Sequence, residues 1–229
     1  AETLETSSAD EYQKLLLQAK AQGALAGSDN AQLQRLRTIA QRLIPYTAQW
    51  NDRARQWRWE VNLIGSKQIN AFCMPGGKIA FFTGIIDQLK LSDDEIAMIM
   101  GHEMAHALRE HSREQLAKNQ ATSLGISLGA QLLGLGDISS AAARFGGQLL
   151  SLKFSRNDES EADLVGLELA ARAGYNPQAA VSLWRKMGEA TGEGGIGFLS
   201  THPTGPDRIR QLESNVPRVM SLYEQARRR

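Results

Sequence analysis

The chain has 229 residues with 26 Lys and Arg against 25 Asp and Glu, so no global field favours nucleic acid or an anionic membrane. Hydrophobic residues make up 42% and charged residues 22%, which suits one folding unit with a substantial core and excludes a disordered or collagen-like chain. The single cysteine, Cys73, excludes an internal disulfide and a cysteine-based metal site. Arg227, Arg228 and Arg229 form the one dense basic run, expected as a solvated chain end. The sequence opens at Ala1 without an apolar leader, as in a processed secreted protein or a trimmed chain.

From Asp10 to about Trp57, Leu15 and Leu16 and then Leu33, Leu36, Ile39, Ala40 and Leu43 recur at spacings of three and four. This predicts two helices, broken around Gly23 to Asn30. Pro45 and the tryptophans Trp50, Trp57 and Trp59 mark a change of character. Residues 1–56 are therefore expected to be a helical segment packed on a domain over 57–229. Trp57–Ile64, Gln68–Met74 and Lys78–Thr83 read as strands, the last two joined by a Pro75-Gly76-Gly77 turn.

Ser92 followed by Asp93, Asp94 and Glu95 is a helix start, because Ser caps free amides and acids suit the positive dipole end. Ile96, Ile99, Met100, Met104 and Ala107 continue it at helical spacing, and the polar run Arg109 to Lys118 predicts that its far end emerges into solvent. Between Ala121 and Leu135 the chain is apolar but falls short of the roughly 18 residues a membrane span needs, so a buried or lid-forming helix is expected. Further helices are predicted over about Asp158–Ala173, Pro177–Glu189 and Pro206–Gln225. Gly192, Gly194, Gly195 and Gly197 mark a mobile loop between the last two.

The segment Gly101-His102-Glu103-Met104-Ala105-His106 falls inside the long predicted helix. Four residues are about one turn, so both imidazoles leave one face and can share a metal ion, as H-E-x-x-H requires. A catalytic zinc takes three protein ligands and keeps a fourth position for water. Glu159, at the start of a predicted helix, is the best candidate for the third, although acid density there fits a plain helix start equally well. Asp163, one turn later, could accept the free ring N–H of a ligand histidine and fix its tautomer. Glu161 points elsewhere and is expected in solvent. The run to a third histidine seen in metzincins fails, since position 109 is Arg and position 112 is Ser. His111 is one residue out of register and is read as a structural or surface histidine.

These residues carry a resemblance. Asn70-Ala71-Phe72, Pro75-Gly76-Gly77-Lys78-Ile79 and Thr83-Gly84, then Gly101-His102-Glu103 to His106, Ser155-Arg156 with Glu159 to Asp163, and Thr201-His202-Pro203 with Arg208 resemble, in order, the motifs of HtpX-type zinc metallopeptidases. That family of gluzincins includes CAAX prenyl proteases and soluble periplasmic BepA-like members. The resemblance implies an α+β, predominantly helical, zincin-like fold with a small sheet beside the motif helix. It also implies one Zn2+ ion with Glu159 as third ligand, and His202 and Arg208 facing the metal. The soluble branch fits better than the membrane-spanning one, which implies a periplasmic or cell-envelope location and a role in protein quality control.

The expected reaction is hydrolysis of peptide bonds, with Glu103 taking a proton from water and His202 or Arg208 donating to the developing oxyanion. The His₂Glu set favours zinc over manganese or cobalt. Polypeptide substrates are expected along an edge strand at about Lys78 to Thr83, with Phe81 and Phe82 on opposite faces. Nucleic acid is not expected as a partner; peripheral association with a membrane is the remaining alternative. Two rival readings stand beside the enzyme. In one, His202 fills the fourth position and gives a latent or zinc-stabilised binding protein. In the other, the chain is a non-catalytic interaction module, which a retained Glu103 argues against.

Overall fold

The computed structural model describes residues 1–119, 149, 152–190 and 197–229. The apolar helix expected over 121–135 and most of the glycine loop before His202 lie outside the described residues. In chain order the elements are α1 (Glu2–Ala21), α2 (Ala31–Leu43), two 3₁₀ turns (Ile44–Gln49 and Asp52–Arg55), β1 (Glu60–Ile64), β2 (Ala71–Met74), β3 (Lys78–Phe82), α3 (Thr83–Leu89) and α4 (Asp93–Leu108). Then follow α5 (Arg156–Arg172), α6 (Ala179–Glu189), the single turn α7 (Phe198–Thr201) and α8 (Asp207–Arg227). The fold is predominantly helical with one three-stranded sheet, an α+β arrangement of zincin type. Helix α1 starts eight residues before the expected Asp10, at Glu2.

Gly76 and Gly77, at φ of 88° and 81°, make the tight turn that closes β2 and β3 into an antiparallel pair. β1 then lies parallel to β3 on its other side, so the strand order is β1-β3-β2. The strand expected as an edge, Lys78 to Thr83, is therefore the middle of the sheet, and Thr83 already belongs to α3. With both its sides paired, β3 has no free main-chain groups to offer a peptide. Of the two outer strands, β1 is partly covered: Leu25 bridges to Ile64, and Arg37 Nε donates to the Val61 carbonyl at 3.1 Å. β2 pairs with β3 alone among the described residues.

Alternation along the strands divides the core. Val61, Leu63, Cys73, Ile79 and Phe81 join α2 and α4 in the main cluster, whereas Ile64, Met74 and Ala80 pack under α1 against Tyr12, Leu16 and Ala19. Phe82 packs with the second group, so the two phenylalanines do face opposite ways. Helix α1 is pinned by polar contacts as well. Tyr12 Oη donates to the Ile79 carbonyl at 2.5 Å, and Glu5 accepts two hydrogen bonds from Arg53 at 2.8 Å and one from Trp57 at 3.0 Å.

Helix α4 is the centre of the molecule. Ser92 and Glu95 form a reciprocal capping box at its start, and every residue from Glu95 to Leu108 is buried. A helix buried on all sides needs neighbours on all sides; the sheet and α2 take one flank, α5 and α6 the other. The crossing with α5 is unusually close. A Cβ placed on Gly101 would sit 2.8 Å from the Gly166 carbonyl oxygen, and one on Gly166 would sit 2.6 Å from the His102 backbone nitrogen. Only two glycines allow that approach. Gly166→Ala should cost about 1–3 kcal/mol and lower the thermal midpoint, whereas Gly188→Ala, whose added carbon meets nothing within 4 Å, should not. An unchanged midpoint for Gly166→Ala, read by circular dichroism, would contradict the crossing described.

Candidate metal centre

Three elements converge on one buried point. Helix α4 presents His102 and Glu103 from one turn and His106 from the next, all buried. Helix α5 begins with a second capping box, Ser155 with Asp158, which sets its first turn so that Glu159 and Asp163 face α4. The turn α7 ends at His202, which is also buried.

Ligand atoms of His102, His106, Glu159 and His202 all lie within 4.8 Å of one another. His102 Nε2 is 3.1 Å from His106 Nε2 and 3.3 Å from His202 Nδ1. Glu159 Oε1 is 3.0 Å from His106 Nε2 and 2.7 Å from His202 Nδ1, while Oε2 is 3.4 Å from His102 Nε2. A tetrahedral zinc with bonds of about 2.0–2.1 Å holds its donors ~3.3 Å apart. The spacing of this donor set thus fits an ion of that size. A further sign is Glu103, whose buried Oε1 finds no hydrogen-bond partner and lies 3.3 Å from His202 Nε2. Such an atom costs about 1–3 kcal/mol unless something polar comes to meet it.

The electrostatics also favour a cation here. Burial opposes charge on His102, yet the Glu159 carboxylate and the pairing with Asp163 outweigh it and raise its pKa to about 10. Burial holds His106 well below the ordinary imidazole value. Glu159 is buried too, but the surrounding imidazoles, His102 foremost, keep its carboxyl below the usual range. Glu103 goes the other way: burial raises it, against the pull of His202 and His102. Asp163 Oδ1 lies 2.9 Å from His102 Nδ1, within pairing distance though not aligned as a hydrogen bond.

Arg208 stands elsewhere than expected. Its Nε and Nη2 donate to both Asp163 oxygens at 2.9 and 2.7 Å, Nη1 is 2.9 Å from Glu159 Oε2, and the guanidinium lies 3.4 Å over the Trp184 ring. Nη1 also donates to the Pro203 carbonyl at 3.4 Å, so all three guanidinium nitrogens are engaged with Asp163, Glu159 or that carbonyl. His202 sits among the ligand atoms, with its ring stacked on Phe198 at 4.1 Å. His111 is a buried structural histidine, not a surface one, and Glu161 is not simply solvated, since it accepts hydrogen bonds from Arg109 and His111. Phe154, which sequence reasoning missed, stacks on His106 at 3.9 Å. No spacing rule would have found it, because it lies outside any helix or strand; its N–H donates to the Thr201 carbonyl next to His202.

Beside the cluster is a small pocket lined by β2 residues Ala71 to Met74 and by Leu149, Leu152 and Phe154. Glu103, His106 and His202 also line it.

With this geometry in view, the comparisons with known proteins become specific. A family model described as Peptidase family M48 matches residues 30–216, which includes every residue of the cluster. The mitochondrial metalloendopeptidase OMA1 of Schizosaccharomyces pombe is 40% identical over 170 residues, covering 73% of this chain and 49% of that protein. The protein of the same name from Saccharomyces cerevisiae is 33% identical over 177 residues, 74% of this chain and 50% of its own length. A putative beta-barrel assembly-enhancing protease of Vibrio cholerae is 28% identical over 157 residues, 64% of this chain and 32% of its own. The chain spans half or less of the length of these relatives. The two OMA1 proteins are more similar to it than the Vibrio protein, which corrects the expectation of a BepA-like branch. The chain belongs to Peptidase family M48.

Proposed function

We propose that the chain is a zinc-dependent endopeptidase that cleaves polypeptides lying in extended form along β2. The observation that carries this reading is the near-tetrahedral spacing of His102, His106 and Glu159 with Glu103 Oε1, buried without a hydrogen bond, beside them. Zinc bound there would supply Lewis acidity for the scissile carbonyl and lower the pKa of water from about 15.7 toward 7.

The chain's own groups do the rest. His102 and His106 offer Nε2 and Glu159 a carboxylate oxygen, with Asp163 and Arg208 holding two of the three from behind. Glu103, its pKa raised by burial, takes a proton from the attacking water and passes it to the leaving amine. The outer edge of β2 pairs with substrate main chain, which makes sequence preference loose. Quality control in a cell envelope is supported by the Vibrio relative's name, and a mitochondrial setting by the names of the OMA1 relatives. No helix among the described residues is long and apolar enough to cross a membrane.

A second reading is favoured by one observation. His202 Nδ1 stands at the fourth vertex of the donor set, 2.7 Å from Glu159 Oε1 and 3.3 Å from His102 Nε2. On this reading His202 would take the place that water needs at the metal and would have to leave it before catalysis.

Two variants assayed on unfolded casein separate these readings. Glu103→Gln should lose about 10²–10⁴-fold in rate while zinc content, measured by mass spectrometry, stays at one ion per chain. Hydrolysis at the parent's rate would contradict the assignment of Glu103. His202→Ala should hydrolyse faster than the parent if the closed form is latent. A fall on the order of 10²-fold would instead assign His202 to the oxyanion.

A further inference from the structure

His106 meets the rest of the protein through its second ring nitrogen. Nδ1 lies 2.9 Å from Nδ1 of His111, and His111 Nε2 lies 2.7 Å from Glu161 Oε2. The other Glu161 oxygen accepts from Arg109 Nε at 2.6 Å. Two imidazoles that meet nitrogen to nitrogen can share only one proton, and the far end of the chain of contacts decides which ring carries it. A carboxylate can only accept, so His111 donates Nε2–H to Glu161. Its Nδ1 is then a bare acceptor, His106 must donate Nδ1–H to it, and the lone pair of His106 is left on Nε2. That is the atom 3.0 Å from Glu159 Oε1 and 3.1 Å from His102 Nε2.

We propose that Arg109, Glu161 and His111 form a positioning relay that fixes the tautomer and ring orientation of His106 for metal binding. The relay rests on the metal-centre reading of the site. It orients the second motif histidine through an intervening imidazole, whereas His102 faces its carboxylate, Asp163, directly at 2.9 Å.

The backbone is shaped to bring this about. After α4 ends at Leu108, Glu110 takes a left-handed conformation, φ 58°, which is uncommon for a residue with a side chain. That turn folds the chain back, so that His111 returns to the ring it has just passed. Glu161 comes from the opposite helix, on the side of α5 away from Glu159. Phe154, stacked at 3.9 Å, holds the plane of the His106 ring. Asp158 Oδ1 is also near His111 Nε2, at 4.0 Å, but its other oxygen is taken by Gln115 Nε2 and the Ser155 backbone N–H.

The test measures zinc affinity by chelator competition, together with the thermal midpoint of metal-free protein. Glu161→Ala and His111→Phe should bind zinc about 10–100-fold more weakly. His111→Gln should recover affinity to within a few-fold of the parent, because one amide can accept from His106 and donate to Glu161. The Glu161 side chain is 40% exposed, so Glu161→Ala should leave the metal-free midpoint in place. Parent-like affinity in both Glu161→Ala and His111→Phe would overturn the relay, as would a His111→Gln variant as weak as His111→Phe. A parent protein that takes up no zinc would instead sink the metal-centre reading beneath it.

Discussion

The approach of two helix backbones at Gly101 and Gly166 is the constraint on which the rest of the site depends. Glu159 lies two turns before Gly166 on α5, and His102 immediately follows Gly101 on α4. A short carboxylate can reach two imidazoles across a helix pair only if the axes are nearly in contact. Side chains at either glycine would push the helices apart, and the ligand atoms, now 3.0 to 3.4 Å from Glu159 oxygens on the α4 side, would separate. Fold and site are therefore coupled at one crossing.

That crossing also concentrates charge. Glu103, Glu159 and Asp163 lie with three imidazoles and Arg208 in a region largely shielded from water. Burial of this many ionisable groups is costly unless each is paired. Arg208 pairs with two carboxylates from behind with its single positive charge, and the cation–π contact with Trp184 holds it there. The remaining demand for positive charge falls at the point where the imidazole and Glu159 donors meet, which explains why the cluster suits a divalent ion. The arrangement reads as specificity for a cation, built at some expense to the stability of the protein without one.

Features encoded by local spacing were legible in the sequence. Ser92 with Glu95 marked the start of α4, the four-residue interval put His102 and His106 on one face, and Glu159 with Asp163 stood one turn apart on the next long helix. Features set by distant contacts were not. The order β1-β3-β2 depends on which side of β3 the first strand joins, and no residue of Lys78 to Phe82 records that choice. Arg208 was legible as part of a motif, but its direction was not, because Trp184 and Asp163 that hold it come from two other helices. His111 was legible as a structural or surface histidine but not as a neighbour of His106, because the left-handed turn at Glu110 that returns it there has no sequence signal. The polar run Arg109 to Lys118 emerges only on one side: Glu114 and Lys118 are exposed, while His111, Ser112 and Leu116 are buried.

The account stands on one ion held jointly by α4 and α5. Crystals of the protein grown with zinc, measured on both sides of the zinc absorption edge, test it most directly. The expected result is a single anomalous peak at bonding distance, about 2.0–2.2 Å, from His102 Nε2, His106 Nε2 and a Glu159 oxygen. A peak bound away from these atoms, or one held by the two histidines with the Glu159 carboxylate turned aside, would contradict it.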